Sequence, residues 1–245
     1  MSQILLTLID NAKIEAFLAF VKDLNYVEKA EILPETSPTE VLPEIVLPAR
    51  PAHGDYSVED IQGIADQFPK NYKWTAKDLE KYFPQDLKIS VQILQNKIFI
   101  TPNPTNLHQD ISQELCFQVH SFAKEKQAGK VLHAPFDIKF DKNNVAQPDI
   151  LLRKNKKNLP TWIAEIWLPT NPKIERDLKH KLYESNGVTE YWQIFPKKKK
   201  ISIEVLNEAG KYEVFAEAKK TGKVQSKVLE GFSVDIAELW ASCEA

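Results

Sequence analysis

Gln147-Pro148-Asp149-Ile150-Leu151-Leu152 and Ile163-Ala164-Glu165-Ile166-Trp167 decide how this chain is read. Each is a short apolar run that carries one acid. Asp149 follows a proline at the mouth of the first run, and Glu165 sits inside the second. Apolar, β-branched runs of this length read as buried strands, and a charge inside one needs a reason. The next segment, Lys173 to Ser185, reads as a helix and carries Lys179 and Lys181. Two acids at strand positions and an amine on the following helix are a set of groups that can converge on one point.

Working outward, Ile150–Leu152 and Trp162–Trp167 are flanked by further β-type runs at Val131–Ala134, Phe136–Phe140, Tyr191–Phe195, Ile201–Leu206 and Tyr212–Ala216. Asp141-Lys142-Asn143-Asn144 has the composition of a turn. Upstream, Ile89–Leu94 and Lys97–Thr101 read as a hairpin turning at Gln95-Asn96. Between these groups, Leu107, Ile111, Leu115, Val119 and Phe122 recur at helical spacing over Asn106–Lys126, with Gly129 expected to close the helix. Ser57 with Asp60, and Thr75 with Asp78, have the N-cap spacing of two shorter helices, the first reaching about Gln67 and the second ending before Pro84. Helix, several strands, helix and more strands predict an α+β (mixed α/β) fold with a central sheet flanked by helices.

The first 55 residues read differently. Ile4–Ile9, Ala12–Leu24 and Val27–Ile32 suggest a small strand-helix-strand extension. Pro34, Pro38, Pro43, Pro48 and Pro51 then favour extended chain, as a linker or a strap along the surface. The expected division is an extension with its linker over residues 1–55 and a main domain over residues 56–245. An apolar N-terminal strand leaves edge groups that another copy can pair with, so a homodimer is expected.

Composition narrows the function. The 32 basic and 34 acidic residues nearly balance, so nucleic acid would be met by a local patch rather than by a global field. Cys116 and Cys243 form no metal or disulfide spacing, there is no signal-peptide pattern, and no run is long enough to span a membrane. A cytoplasmic protein with no membrane contact is expected. Glycine-rich phosphate loops, zinc spacing and a Ser-His-Asp arrangement are missing from the sequence.

Two carboxylates suffice for Mg²⁺, which keeps waters and takes phosphate oxygens as its other ligands. Such a cation activates water and neutralises phosphate charge, and an ammonium at Lys179 or Lys181 would assist. Read from spacing alone, Asp149 is equally a turn aspartate, and Glu165 a buried glutamate paired with one of those lysines.

The runs quoted above, with Ala164-Glu165-Ile166-Trp167-Leu168-Pro169-Thr170 and Lys179-x-x-x-Tyr183-x-x-x-Gly187-Val188-x-Glu190-Tyr191-Trp192, resemble the Uma-type family of restriction-endonuclease-like proteins, within the PD-(D/E)XK nuclease superfamily. The likeness covers roughly Trp74 to Leu239. It implies a restriction-endonuclease-like sheet and a Mg²⁺- or Mn²⁺-dependent endonuclease acting on DNA. Asp149 and Glu165 would bind the metal and Lys179 would supply the ammonium. Lys181 is the alternative amine, and His108 and Gln92 are possible neighbours of the site. Trp167 stands where the superfamily lysine is expected, Gln92 where the family usually has glutamate, Asn96 where glycine is common, and Leu168 where serine is usual. Those departures leave open a catalytically weak or inactive relative that serves as a binding or assembly module. Lys197-Lys198-Lys199-Lys200 reads as a solvated turn or a phosphate contact, and Tyr191 and Trp192 as core.

Overall fold

Strand pairing sets the frame on which the acids sit. The computed structural model describes residues 45–49, 55–84, 87, 89–102 and 104–243. The N-terminal strand-helix-strand extension, and with it the strand expected to mediate dimerisation, lies outside the described residues. Of the proline-rich stretch, residues 45–49 adopt no regular element, and Val46 is held by hydrogen bonds to the Gln67 side chain.

Two short helices come first, α1 (Val58–Ala65) and α2 (Ala76–Tyr82). Both start with the expected reciprocal caps: Ser57 with Asp60, and Thr75 with Asp78. α1 stops short of Gln67. β1 (Ser90–Leu94) and β2 (Lys97–Thr101) form the hairpin, with Gln95 and Asn96 both at positive φ as a tight two-residue turn demands. The long helix α3 (Asn106–Glu125) follows, buried along Ile111, Leu115, Val119 and Ala123.

The helix end differs from expectation. Gln127, at φ +51°, takes the left-handed position, and Ala128 N–H donates back to the Ala123 carbonyl at 2.9 Å. Gly129 has another duty: a Cβ there would lie 2.7 Å from the Arg153 carbonyl oxygen, so only glycine lets the chain pass the Arg153 backbone.

β3 (Lys130–His133), β4 (Ile138–Asp141), β5 (Asn144–Ala146), β6 (Ile150–Arg153) and β7 (Trp162–Ile166) come next, then α4 (Lys173–Ser185), β8 (Glu190–Phe195), β9 (Lys200–Leu206) and β10 (Tyr212–Lys219). β11 (Lys223–Gln225), β12 (Ser233–Asp235) and α5 (Ile236–Cys243) complete the described chain. The strands divide into a six-stranded sheet ordered β10-β9-β8-β7-β6-β3, a four-stranded sheet ordered β2-β1-β5-β4 and the pair β11-β12. The six-stranded sheet is the expected central sheet, and the four-stranded one is an addition to it. The turn at Lys142-Asn143 folds β4 onto β5, and Val145 pairs with Ile93 of β1, which builds the second sheet.

Within the large sheet only β7 and β8 run parallel, because α4 crosses between them. One face packs Ile150, Leu152, Trp162, Ala164, Ile166 and Trp192 against α3 and the C-terminal elements. The other packs Leu151, Ile163 and Tyr191 against Leu178, Leu182 and Tyr183 of α4.

The Gly187-Val188-x-Glu190-Tyr191-Trp192 segment is explained by this packing. Gly187, at φ +74°, ends α4, and Val188 N–H returns to the Tyr183 carbonyl. Glu190 is fully buried and accepts from Trp162 Nε1, Trp192 Nε1 and Ser226 Oγ on one oxygen, and from the Lys227 and Val228 amides on the other. This carboxylate staples the C-terminal elements to the sheet. Lys197 to Lys199 lie in the turn between β8 and β9, and Lys200 opens β9.

Candidate active site

Alternation along β7 places the second acid. Trp162, Ala164 and Ile166 face α3, so Ile163 and Glu165 face α4. β6 pairs antiparallel with β7 with Ile150 opposite Ala164. One residue further along that register, Asp149 stands opposite Glu165. Asp149 Oδ2 accepts a hydrogen bond of 2.7 Å from the Ile166 amide, which fixes the acid at the strand mouth.

From above, α4 presents Glu175, Lys179 and Tyr183 at successive four-residue spacing, and all three are buried. Lys179 Nζ lies 3.0 Å from both oxygens of Glu165. Tyr183 O–H donates to Glu165 Oε1 at 2.6 Å. Lys179 also reaches the Gln147 carbonyl at 3.4 Å and lies 3.9 Å from Glu175 Oε1, with the Trp167 ring 5.6 Å away. The Trp167 ring thus backs an ammonium delivered from the helix.

The electrostatics are those of two acids sharing one buried cation. Burial pushes the Glu165 carboxyl up to about 7, with Lys179 opposing the shift and Asp149 adding to it. Burial acts against the Lys179 charge, but Glu165, Glu175 and Asp149 together hold its ammonium above the usual lysine range.

His108 and Gln92 join the cluster. His108 Nε2 lies 3.2 Å from Asp149 Oδ2. Burial lowers its affinity for a proton, yet the hydrogen bond and charge of Asp149 more than offset this and leave it raised. Gln92 accepts from the Gln147 amide at 2.9 Å and donates to Glu175 Oε1 at 3.2 Å. Lys181 is exposed on α4 and takes no part in these contacts. Glu175 is not among the residues the sequence points to, and Tyr183 enters there only within the quoted family pattern. The spacing Glu175, Lys179, Tyr183 was the signal that could have found both.

A family model described as "Putative restriction endonuclease" (Uma2) matches residues 76–237, more than half of the chain. The chain belongs to this family. The restriction-endonuclease-like family resemblance read from the sequence therefore stands. A solved structure titled as that of "a putative nuclease belonging to DUF820", from Anabaena variabilis, is similar with a TM-score of 0.58 at 17% identity, covering 69% of this chain and 98% of that one. At that identity the likeness concerns the fold, which is the expected α+β nuclease-type arrangement. No curated protein matches the chain. No helix among the described residues is long and apolar enough to cross a membrane.

Members of such a family generally use divalent metals, and the donor chemistry fits one. Asp149 and Glu165 are hard oxygen donors brought to one end of the sheet, and Mg²⁺ is satisfied by one or two carboxylates. Among the described residues no three or more His, Cys, Asp or Glu side chains form a metal-holding group.

Proposed function

We propose that this protein is a divalent-metal-dependent endonuclease that hydrolyses DNA phosphodiester bonds. The observation that supports the reading best is Lys179 held on Glu165 beside Asp149, two acids and an amine converging where β6, β7 and α4 meet. Asp149 and Glu165 would hold Mg²⁺ or Mn²⁺, which supplies an activated water and neutralises charge on the scissile phosphate. Tyr183 orients Glu165 through its hydroxyl, and His108 with the Ile166 amide orients Asp149. Lys179 is the donor available to a phosphate oxygen or to the attacking water. A homodimer belongs to the same proposal, with the mass in solution as its test.

One observation favours a second reading, a nuclease fold without activity that serves as a binding module. Both oxygens of Glu165 are already engaged, by Lys179 and by Tyr183. Calorimetric titration with Mn²⁺ separates the two. The endonuclease reading requires one site per chain that is lost in Asp149→Asn, and the binding-module reading requires no saturable site.

A further inference from the structure

The engaged state of Glu165 raises a question of where the ammonium goes when a cation arrives. Lys179 is buried at 3% exposure, so it has no access to bulk water. Leaving it against a cation on the same carboxylate would set like charges together in a low-dielectric site. An acceptor within reach is therefore required.

Glu175 fits that requirement. It is buried at 3% exposure, one full turn before Lys179 on α4, and its Oε1 is 3.9 Å from Nζ. Gln92 donates to Oε1, while Oε2 is buried and has no hydrogen-bond partner. A buried carboxylate oxygen without a donor is costly, and its retention beside the site calls for a use. Closing 3.9 Å to hydrogen-bond length needs a shift of about 1 Å at the end of the long Lys179 side chain. Gln92 anchors the Glu175 carboxylate through an amide and so adds no charge to repel it.

We propose that Glu175 is a positioning residue that receives the Lys179 ammonium from Glu165 when a divalent cation binds. Glu175 then acts on the lysine, not as a ligand to the cation. The inference rests on the metal-dependent reading above.

The test is a double-mutant cycle read as Mn²⁺ affinity, on the full chain and on Glu175→Gln, Lys179→Met and the double variant. Glu175→Gln is expected to weaken binding about tenfold or more in the wild-type background, corresponding to about 1.4 kcal/mol. Lys179→Met is expected to strengthen binding, and Glu175→Gln to change it by less than about twofold once Lys179 is gone, since coupling of this size marks direct interaction. An equal loss in both backgrounds, or none in either, overturns the proposal while leaving the metal site standing. Absence of Mn²⁺ binding in all four proteins overturns the metal reading and this proposal together. A second readout does not depend on variant stability: the ammonium resonance of Lys179, assigned by its absence in Lys179→Met, should move when Mg²⁺ is added to the wild type. An unmoved resonance at saturating Mg²⁺ contradicts the handover.

Discussion

Lys179 lies 3.0 Å from both carboxylate oxygens of Glu165, on a helix that crosses directly over the strand carrying the acid. The ammonium thus puts a positive charge beside the two acids. This pairing also answers the alternative open at the level of sequence, since Glu165 is a buried glutamate paired with a lysine whatever further role it has.

The pH dependence of cation binding follows from Glu165. Its carboxyl is raised from 4.5 to about 7 by burial, so cation and proton compete for it below neutrality. Mn²⁺ affinity should rise by up to about tenfold per pH unit as pH approaches 7 from below, and level off above. The sign for stability is the reverse. The folded state holds this proton more tightly than the unfolded chain, so the Glu165 contribution is fully present below 4.5 and is lost as pH rises to about 7. Calorimetry across pH 5 to 8 checks the first trend, and urea unfolding of the metal-free protein checks the second.

Tyr183→Phe removes the hydroxyl that orients Glu165 and leaves the packing of the ring in place. A hydrogen bond to a charged, buried acceptor is worth about 1.5–3 kcal/mol. Urea unfolding near neutral pH should show a loss of that size. Cation affinity should fall too, because the carboxylate loses its fixed orientation. Unchanged values for both would show that Tyr183 serves only the core.

Glu190→Ala should destabilise the fold by about 3 kcal/mol or more, since several buried donors lose their acceptor at about 1–3 kcal/mol each. Two tryptophan indoles, a serine hydroxyl and two amides converge on this carboxylate. Chemical denaturation with tryptophan fluorescence reports it directly, because Trp162 and Trp192 are both donors. A change below about 1 kcal/mol would contradict the stapling role.

At the end of α3, Gln127→Gly should stabilise by about 0.5–1 kcal/mol, and Gly129→Ala should destabilise by about 1–3 kcal/mol. Gln127 bears the cost of a left-handed conformation, and a Cβ at Gly129 meets the Arg153 carbonyl. Thermal unfolding of the two variants should move in opposite directions.

Much of this arrangement was legible in the chain itself. Asp149 and Glu165 stand out because strand alternation is local and a charge in an apolar run is conspicuous, whereas the choice of Lys179 over Lys181 rests on the family resemblance and not on spacing. Glu175 is not legible in the same way. Within Lys173-Ile174-Glu175-Arg176-Asp177 it reads as an ordinary acid in a first helical turn, and its burial depends on Gln92, 83 residues earlier. The split into two large sheets rests on a pairing as brief as Ile93 with Val145, which no local pattern encodes. The C-terminal strands of three residues each are too short to show a period. Gly129 misled because glycine near a helix end usually marks the cap, whereas here its lack of a side chain serves a close approach to β6.

Cleavage itself is the most direct test of the central claim. Supercoiled plasmid incubated with the purified protein should be nicked in the presence of Mg²⁺ or Mn²⁺ and left intact with chelator. Asp149→Asn, which keeps the shape and removes a metal-binding charge, should abolish nicking by a protein that remains folded. Nicking that persists unchanged in Asp149→Asn, or wild-type protein that nicks nothing with either cation, would contradict the account.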